Sequence, residues 1–513
     1  MRIMFINKKY IYKGLALFAF ATSAAMISGC QKELIELSPE FTLDGTANPS
    51  SMDQVENILN GAYAGFRASD YYGSGSGTGG GASTMPDVLS DNLYETAQSL
   101  ANSRAMSQWT FQQGTDQIDD IYNAMYKVIS TANSVIQNVD KFTTTANAKR
   151  ANRLKGQAYA IRALAHFDLF KYFAENYDRN STTTLALYYS KEFKIDLEAR
   201  PKRVSNKVYY DELFADLAQA QTLLADVDVN VNSGFANTRP KISLAAVHLL
   251  KARISLYAGL YADAIAAANA GIPLAPALAN TQAAFSGMYN ETALGEIIWN
   301  VQFDAGQSGP TFLTYFATNG RSYFRPALEI ATFAGTTGLI RPADIRYSAY
   351  FATTGRVAAQ PQALTLIKYR GKSSRSDGNA NFVAMKTAEL YLIRAEAYAK
   401  GSPVQEALAM ADLNAVRTAR IAGYVPEVLT GSSLIDAIAN ERRREFVAEG
   451  HRFFDLKRTT RTINRGSTCG TGNPAISPIT RCVLNPTDRE WTFPITERLI
   501  NANPGLEQNP TWK

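Results

Sequence analysis

The sequence predicts a mainly α-helical fold, built from helix-pair repeats and interrupted by irregular, loop-rich insertions that carry a few short strands. Apolar residues recur at three- and four-residue spacing over several long segments, as a helix with one buried stripe requires. Two such segments follow one another with only a short break. The stretch from Ala277 to Met385, by contrast, is rich in turn formers (DAGQSG, ATNGR, AGTTG), with strand-like pieces GEIIWNVQF and TLIKYR between them.

The first residues read as a targeting segment. Arg2, Lys8, Lys9 and Lys13 give a basic start, and Gly14 to Ile27 form an apolar run of 14 residues. As a helix that run spans about 21 Å, short of a bilayer core of about 30 Å, so it reads as a signal peptide. Ile27-Ser28-Gly29-Cys30 resembles a bacterial lipobox, and the Cys30 thiol is the group there able to carry a thioether-linked diacylglycerol. Several acyl chains inserting together anchor a protein stably, as one chain does not. Of the 52 Lys and Arg, 48 remain after residue 29, against 46 Asp and Glu. That near-neutral balance gives no ground for a nucleic-acid or acidic-membrane partner.

Helices are expected in the following order. One covers about Met52 to Phe66. Leu154, Ala158, Ile161, Ala165, Leu169 and Tyr172 form a stripe whose partner is Tyr210, Leu213, Leu217, Ala220 and Leu224. Ala245, Leu249, Ala252, Leu256 and Leu260 line a third helix, Gly259 relieves its turn, and YADAIAAANAGIPLAP (Tyr261–Pro276) resembles the second half of a tetratricopeptide repeat. A further pair runs from Leu390, Ile393 and Ala397 through Gly401 to Ala407, Ala411 and Leu413. Each pair buries one face only on its neighbours, so such units stack. Trp109, at the start of a periodic helix, and Trp299, in an apolar strand, are assigned to the core. Cys469 and Cys482 bracket one loop (CGTGNPAISPITRC), and a loop-closing disulfide fits an exported chain.

The run NERRREFVAEGHRFFDLKR (Asn440–Arg458) is very similar to the C-terminal signature of the SusD/RagB family, a helix of the form ERR-x-E-L-x-x-E-G-x-R-W/F-x-D-L. LKGQAYAIRALAHFDLFKYFA (Leu154–Ala174) resembles that family's first repeat helix. MPDVLSDN (Met85–Asn92) and WTFQQGTDQIDDIYNAMYKVISTANSVI (Trp109–Ile136) look like its N-terminal segments, and FPITERLINANPGLEQNP (Phe493–Pro510) is similar to its closing motif. The resemblance spans nearly all of the mature chain in the family's order. It implies four tetratricopeptide-like units cradling a less regular ligand-binding region. It also implies an outer-membrane lipoprotein facing the cell exterior, set as a lid over a SusC-like TonB-dependent barrel into which oligosaccharides, or in some members peptides, pass. The organisation expected is a signal peptide at 1–29 and a single SusD-like domain at 30–513. Its repeat helices cover about 115–275 and 381–461, and its ligand-binding insertions about 67–108 and 277–385.

Catalysis is poorly supported, and no cofactor, metal or catalytic residue is expected. His166, His248 and His451 each sit in a patterned segment as packed or capping residues, and neither H-E-x-x-H nor G-x-S-x-G occurs. Gly75 to Gly80 fits G-x-G-x-x-G but lacks the preceding strand and following helix of a dinucleotide site. Gly371-Lys372-Ser373 imitates the end of a P-loop, with Leu366 in place of its first glycine. Asp119-Asp120 and Asp87/Asp91 read as surface or capping acids. Arg442 to Arg444 are interleaved with acids, which disfavours a nucleic-acid patch. Sugars expose apolar C–H faces and rings of hydroxyls, so aromatic platforms with planar polar groups hold them. By region, the resemblance points to Tyr71, Tyr72, Tyr94 and Arg104, and to Tyr315, Asn319, Tyr323 and Phe324, as ligand contacts. The alternatives are a peptide-binding protein of the same architecture and a repeat scaffold without a small ligand.

Overall fold

The computed structural model describes residues 48–513 apart from 75–78, 98, 195–197, 227, 228, 230–235, 305, 306, 308, 310–321, 332–336, 353–363, 376 and 471–480. Cys30, Tyr315 and Asn319 therefore lie outside the described residues. Ser51 to Lys513 make one compact unit. No helix among the described residues is long and apolar enough to cross a membrane.

Helix α1 (Met52–Gly65) starts where the Ser51 hydroxyl accepts the Gln54 N–H, and it buries Met52, Val55, Leu59 and Ala62 at three- and four-residue steps. It packs on α2 (Asp116–Asn138), which packs on α3 (Ala148–Phe173), and so onward through α4 (Asn206–Leu224), α5 (Leu244–Tyr257) and α6 (Tyr261–Gly271). The expected partnership of the Leu154 and Tyr210 stripes is the α3/α4 contact. Gly259, at φ +70°, makes the tight turn between α5 and α6. Two short helices, α7 (Gln282–Asn290) and α8 (Ile345–Tyr350), lie in the long insertion. The stack then resumes with α9 (Thr387–Lys400), which rests on α6 and carries α10 (Glu406–Arg420) and α11 (Gly431–Glu445); α12 (Arg452–Arg458) follows. The fold is mainly α, with tetratricopeptide-like helix pairs.

Arginine–carboxylate pairs staple successive layers. Arg162 holds Asp216 across α3 and α4 at 2.6 Å, Arg253 holds Glu389 across α5 and α9 at 2.6 Å, and Arg394 holds Asp412 across α9 and α10 at 2.7 Å. Among the described residues the strands form four two-stranded antiparallel ribbons: β1 (Leu93–Glu95) with β3 (Phe324–Pro326), β2 (Ile297–Val301) with β6 (Phe382–Lys386), β4 (Phe351–Ala352) with β5 (Thr365–Leu366), and β7 (Ile463–Asn464) with β8 (Val483–Leu484).

The signature run departs from expectation: it is two helices, not one. After α11 the chain turns through Phe446 to His451, with Ala448 at φ +57° and Gly450 at φ +77°, before α12 begins. The buried Asp87 carboxylate accepts the N–H groups of Ala448 and Gly450, both at 3.0 Å, which fixes the turn. Around it lies a buried ion cluster. Arg346 meets Asp344 (2.7 Å), Glu441 (2.7 Å) and Glu445 (3.0 Å), and Arg420 meets Glu445 (3.0 Å) and Glu296 (2.7 Å). Lys386 bridges Glu445 (3.2 Å) and Glu449 (2.8 Å), and Lys368 meets Glu449 at 2.6 Å. Burial alone would raise the Glu445 carboxyl, yet Arg420, Lys386 and Arg346 hold it well below the usual carboxylate range. Glu445→Gln leaves three buried cations short of a counter-charge and is expected to cost about 3–5 kcal/mol of unfolding free energy. Urea denaturation measures it, and a loss of under about 1 kcal/mol would contradict this role.

His166 is buried, stacked on Tyr189 at 3.9 Å, with Nδ1 on the Tyr209 hydroxyl at 2.9 Å. Tyr209 donates its own proton to the His166 carbonyl, and Nε2 lies 3.2 Å from both the N–H and the carbonyl oxygen of Ser190. Burial pushes its pKa down from 6.5 to about 3. A depressed pKa gives stability that is present above pH 6.5 and lost as pH falls toward 3, at about 1.4 kcal/mol per unit. Urea midpoints from pH 7 to 4 should therefore fall more steeply for the parent than for His166→Gln; parallel slopes would count against it.

Candidate functional site

Four of the sequence-nominated residues lie on or against the β1/β3 ribbon. Leu93 faces Pro326, Tyr94 faces Arg325, and Glu95 faces Phe324. The pairing runs on, because Thr96 N–H donates to the Tyr323 carbonyl at 2.9 Å and its hydroxyl to that of Ser322 at 2.5 Å. Arg104, 42% exposed at its side chain, reaches back to the fully buried Glu95, with Nε at 3.3 Å and Nη2 at 3.2 Å from one oxygen. Ser107 donates to the other oxygen at 2.8 Å. Glu95 thus fixes the stem of Arg104 and leaves its flank to solvent. Tyr94 is largely buried, and burial pushes its hydroxyl up to about 12, with Arg325 pulling the other way. Tyr323 keeps a small exposed edge at 8%, while Phe324 is interior.

Tyr71 and Tyr72 are elsewhere. They stack on each other at 4.9 Å and pack with Phe66, Trp299 and Phe382, and Tyr71 donates to Asp168 at 3.0 Å. Both are sealed in the core, with no face left for a ligand, because they tie the end of α1 to α3, β2 and β6. Trp299 is core, as expected. Trp109 is core too, but it does not begin a helix. It sits at φ +54° in the loop before α2, donating to the Leu89 carbonyl at 2.9 Å.

Sequence reasoning missed what supports the ribbon. Arg465 lies 3.8 Å over the Trp109 ring and donates to the carbonyls of Val88 (3.2 Å), Ser90 (3.1 Å) and Ser107. Arg481 approaches the same ring at 5.9 Å. Cys469 and Cys482 are disulfide-bonded, with Cα atoms 5.5 Å apart, in the segment that carries both arginines. Asp91 pairs with Arg452 (2.8 Å) and Arg443 (3.3 Å), so Asp87 and Asp91 are not the surface or capping acids expected: both are buried, and they dock the β1 segment. Among the described residues no group of three or more His, Cys, Asp or Glu is placed to hold a metal ion. The signal for Arg465 was present as basic residues on both sides of the cysteine-bounded loop.

A family model described as SusD family matches residues 335–512, and another, described as starch-binding associating with outer membrane, matches residues 43–256. The chain belongs to the SusD/RagB family. Its relatives include the SusD-like protein P38 of Formosa agariphila, 23% identical over 438 residues, covering 76% of this chain and 78% of that one. Among solved structures, a SusD-like carbohydrate binding protein from Bacteroides vulgatus superposes with a TM-score of 0.73 at 21% identity, covering 89% of this chain and 97% of that one. A SusD superfamily protein from Bacteroides thetaiotaomicron gives 0.72 at 20%, covering 90% and 100%. The SusD/RagB chain thus has the fold of these proteins and belongs with outer-membrane-associated starch-binding families.

Arg465→Lys removes the planar fork that serves three buried carbonyls and is expected to cost roughly 2–4 kcal/mol. Thermal unfolding with tryptophan fluorescence reads this; an unchanged midpoint would mean that the Val88–Trp109 segment is held by other contacts.

Proposed function

We propose that this chain is a lipoprotein, anchored through Cys30 and facing the cell exterior, that captures an oligosaccharide and delivers it to a SusC-like TonB-dependent transporter. The observation that carries the reading is that two insertions meet in one ribbon against the helical stack, with Tyr94 and Tyr323 on one face and the 42% exposed Arg104 docked on Glu95 of the other. Binding groups on a scaffold that does not reorganise lose less entropy on capture. The carbohydrate-binding description of the Bacteroides vulgatus neighbour supports the ligand class. The segment 310–321, which holds Tyr315 and Asn319, leads directly into Tyr323 and β3, so those two residues remain proposed contacts. No covalent chemistry is required of any residue in this reading.

Calorimetric titration of the mature chain against an oligosaccharide panel and a peptide panel tests it. Binding of an oligosaccharide is expected, weakened about tenfold by Arg104→Gln, a loss of about 1.4 kcal/mol. That variant keeps a donor for Glu95 while removing the exposed guanidinium. Binding of peptides alone would sink the glycan reading, and undiminished binding by the variant would move the site off the ribbon. Detergent extracts of the native membrane should bring a large TonB-dependent barrel down with the protein.

A further inference from the structure

A cleft of about 630 Å³ opens beside the last turn of α11 and contains none of the ribbon residues named above. Arg341, Arg417, Arg443 and Arg444 line it against Glu329, Asp344 and Glu427, an excess of one positive charge, and Leu339, Ile421 and Tyr424 add apolar surface. Asp344 is already engaged by Arg346 at 2.7 Å and Glu427 by Arg417 at 2.9 Å. Arg443 is held from behind, with Nε on Asn92 at 3.0 Å and Nη2 on the Asp91 carbonyl at 2.8 Å. Arg444 is held likewise, with Nε on the Leu339 carbonyl at 3.0 Å and Nη1 on Glu441 at 2.8 Å. Among the described residues, Nη1 of Arg443 and Nη2 of Arg444 have no hydrogen-bond partner, and exposed Arg341 has no ion pair. Burial pushes both guanidiniums down, Arg443 to about 10, although Asp91 pairs with Arg443 at 3.3 Å and Glu441 with Arg444 at 2.8 Å.

We propose that this cleft binds the carboxylate of an acidic sugar, with Arg443 and Arg444 on the carboxylate and Arg341 at the mouth. A carboxylate matches the planar N–H donors of a guanidinium. Two free N–H edges beside an arginine with no ion pair match the two oxygens of one carboxylate. Glu427, half exposed on the rim, is an acceptor for ring hydroxyls, and Leu339, Ile421 and Tyr424 suit the C–H face of a pyranose. The sugar class rests on the glycan-binding reading above, whereas the charge preference rests on the cleft alone.

The test titrates the full mature chain with disaccharides of galacturonate, glucuronate and mannuronate, with their neutral counterparts, and with inorganic sulfate. At least one uronate is expected to bind about tenfold more tightly than its neutral counterpart, and less tightly as salt rises. Arg444→Gln and Arg341→Gln should each weaken that binding about threefold or more and leave neutral-glycan binding at the ribbon unchanged. Arg444 also serves buried Glu441, so the exposed Arg341 variant decides the matter if Arg444→Gln does not fold. Uronate binding untouched by Arg341→Gln, or sulfate binding as tight as any uronate, overturns the assignment. Neutral glycans bound with no uronate preference would overturn the cleft alone; no glycan bound at all would overturn the glycan reading with it.

Discussion

The charge on Glu445 is the constraint around which the C-terminal half is arranged. Its two oxygens face Arg420 from α10, Arg346 from α8 and Lys386 from the end of β6, all effectively without solvent. Three elements distant in sequence are thereby required to meet at one carboxylate on α11. Desolvating so many charges costs several kcal/mol per ion, and their mutual attraction offsets this only when every partner is in place. The cluster therefore does less to favour folding in general than to favour one arrangement: the long insertion returned to the repeat stack in a single register.

That register is transmitted to the candidate site through the turn that ends α11. Asp87 takes the N–H groups of Ala448 and Gly450, and Asp91 takes Arg452 and Arg443, so the residues just before β1 are fastened to the signature run. Burial pushes the Asp87 carboxyl up to about 6, against hydrogen bonds from Asn92, Ala448 and Gly450 that pull it down. Arg465 holds the same segment from the opposite side through three carbonyls and the Trp109 ring. β1 is three residues long and could not be stable as an isolated hairpin partner. Its geometry is imposed by these polar clamps, which is why a loop-rich region can hold Tyr94 inside and Arg104 at the surface in a defined place.

The helical stack was legible because periodicity reports burial directly: the stripes at Leu154 and Tyr210 lie on helices that pack together. The ribbon was half legible. Region and residue type nominated Tyr94, Arg104, Tyr323 and Phe324, but the same criteria also nominated Tyr71 and Tyr72. Burial does not divide the two sets, since Tyr94 and Phe324 are interior as well; what places Tyr71 away from the ribbon is a contact at long range, the Asp168 carboxylate that takes its hydroxyl, and no local pattern encodes it. The break between α11 and α12 was hidden for a related reason. Ala448 looks helical by propensity, and only the docked Asp87 makes its left-handed backbone conformation the favoured one.

The run ERRRE also shows why charge spacing alone underdetermines a helix. Successive residues step round the axis by about 100°, so five charged residues in a row address every side. Glu441 and Glu445 turn to Arg346, Arg442 to Asp455 on α12, Arg443 to the β1 segment, and Arg444 to Leu339 in the insertion. A solvated stripe would leave at least one of these sides to water. Here every side of the helix meets another part of the chain, with Glu441 and Glu445 sharing Arg346. A substitution at 442, 443 or 444 therefore unlocks a different neighbour, and of the five positions 443 and 444 line the arginine-lined cleft.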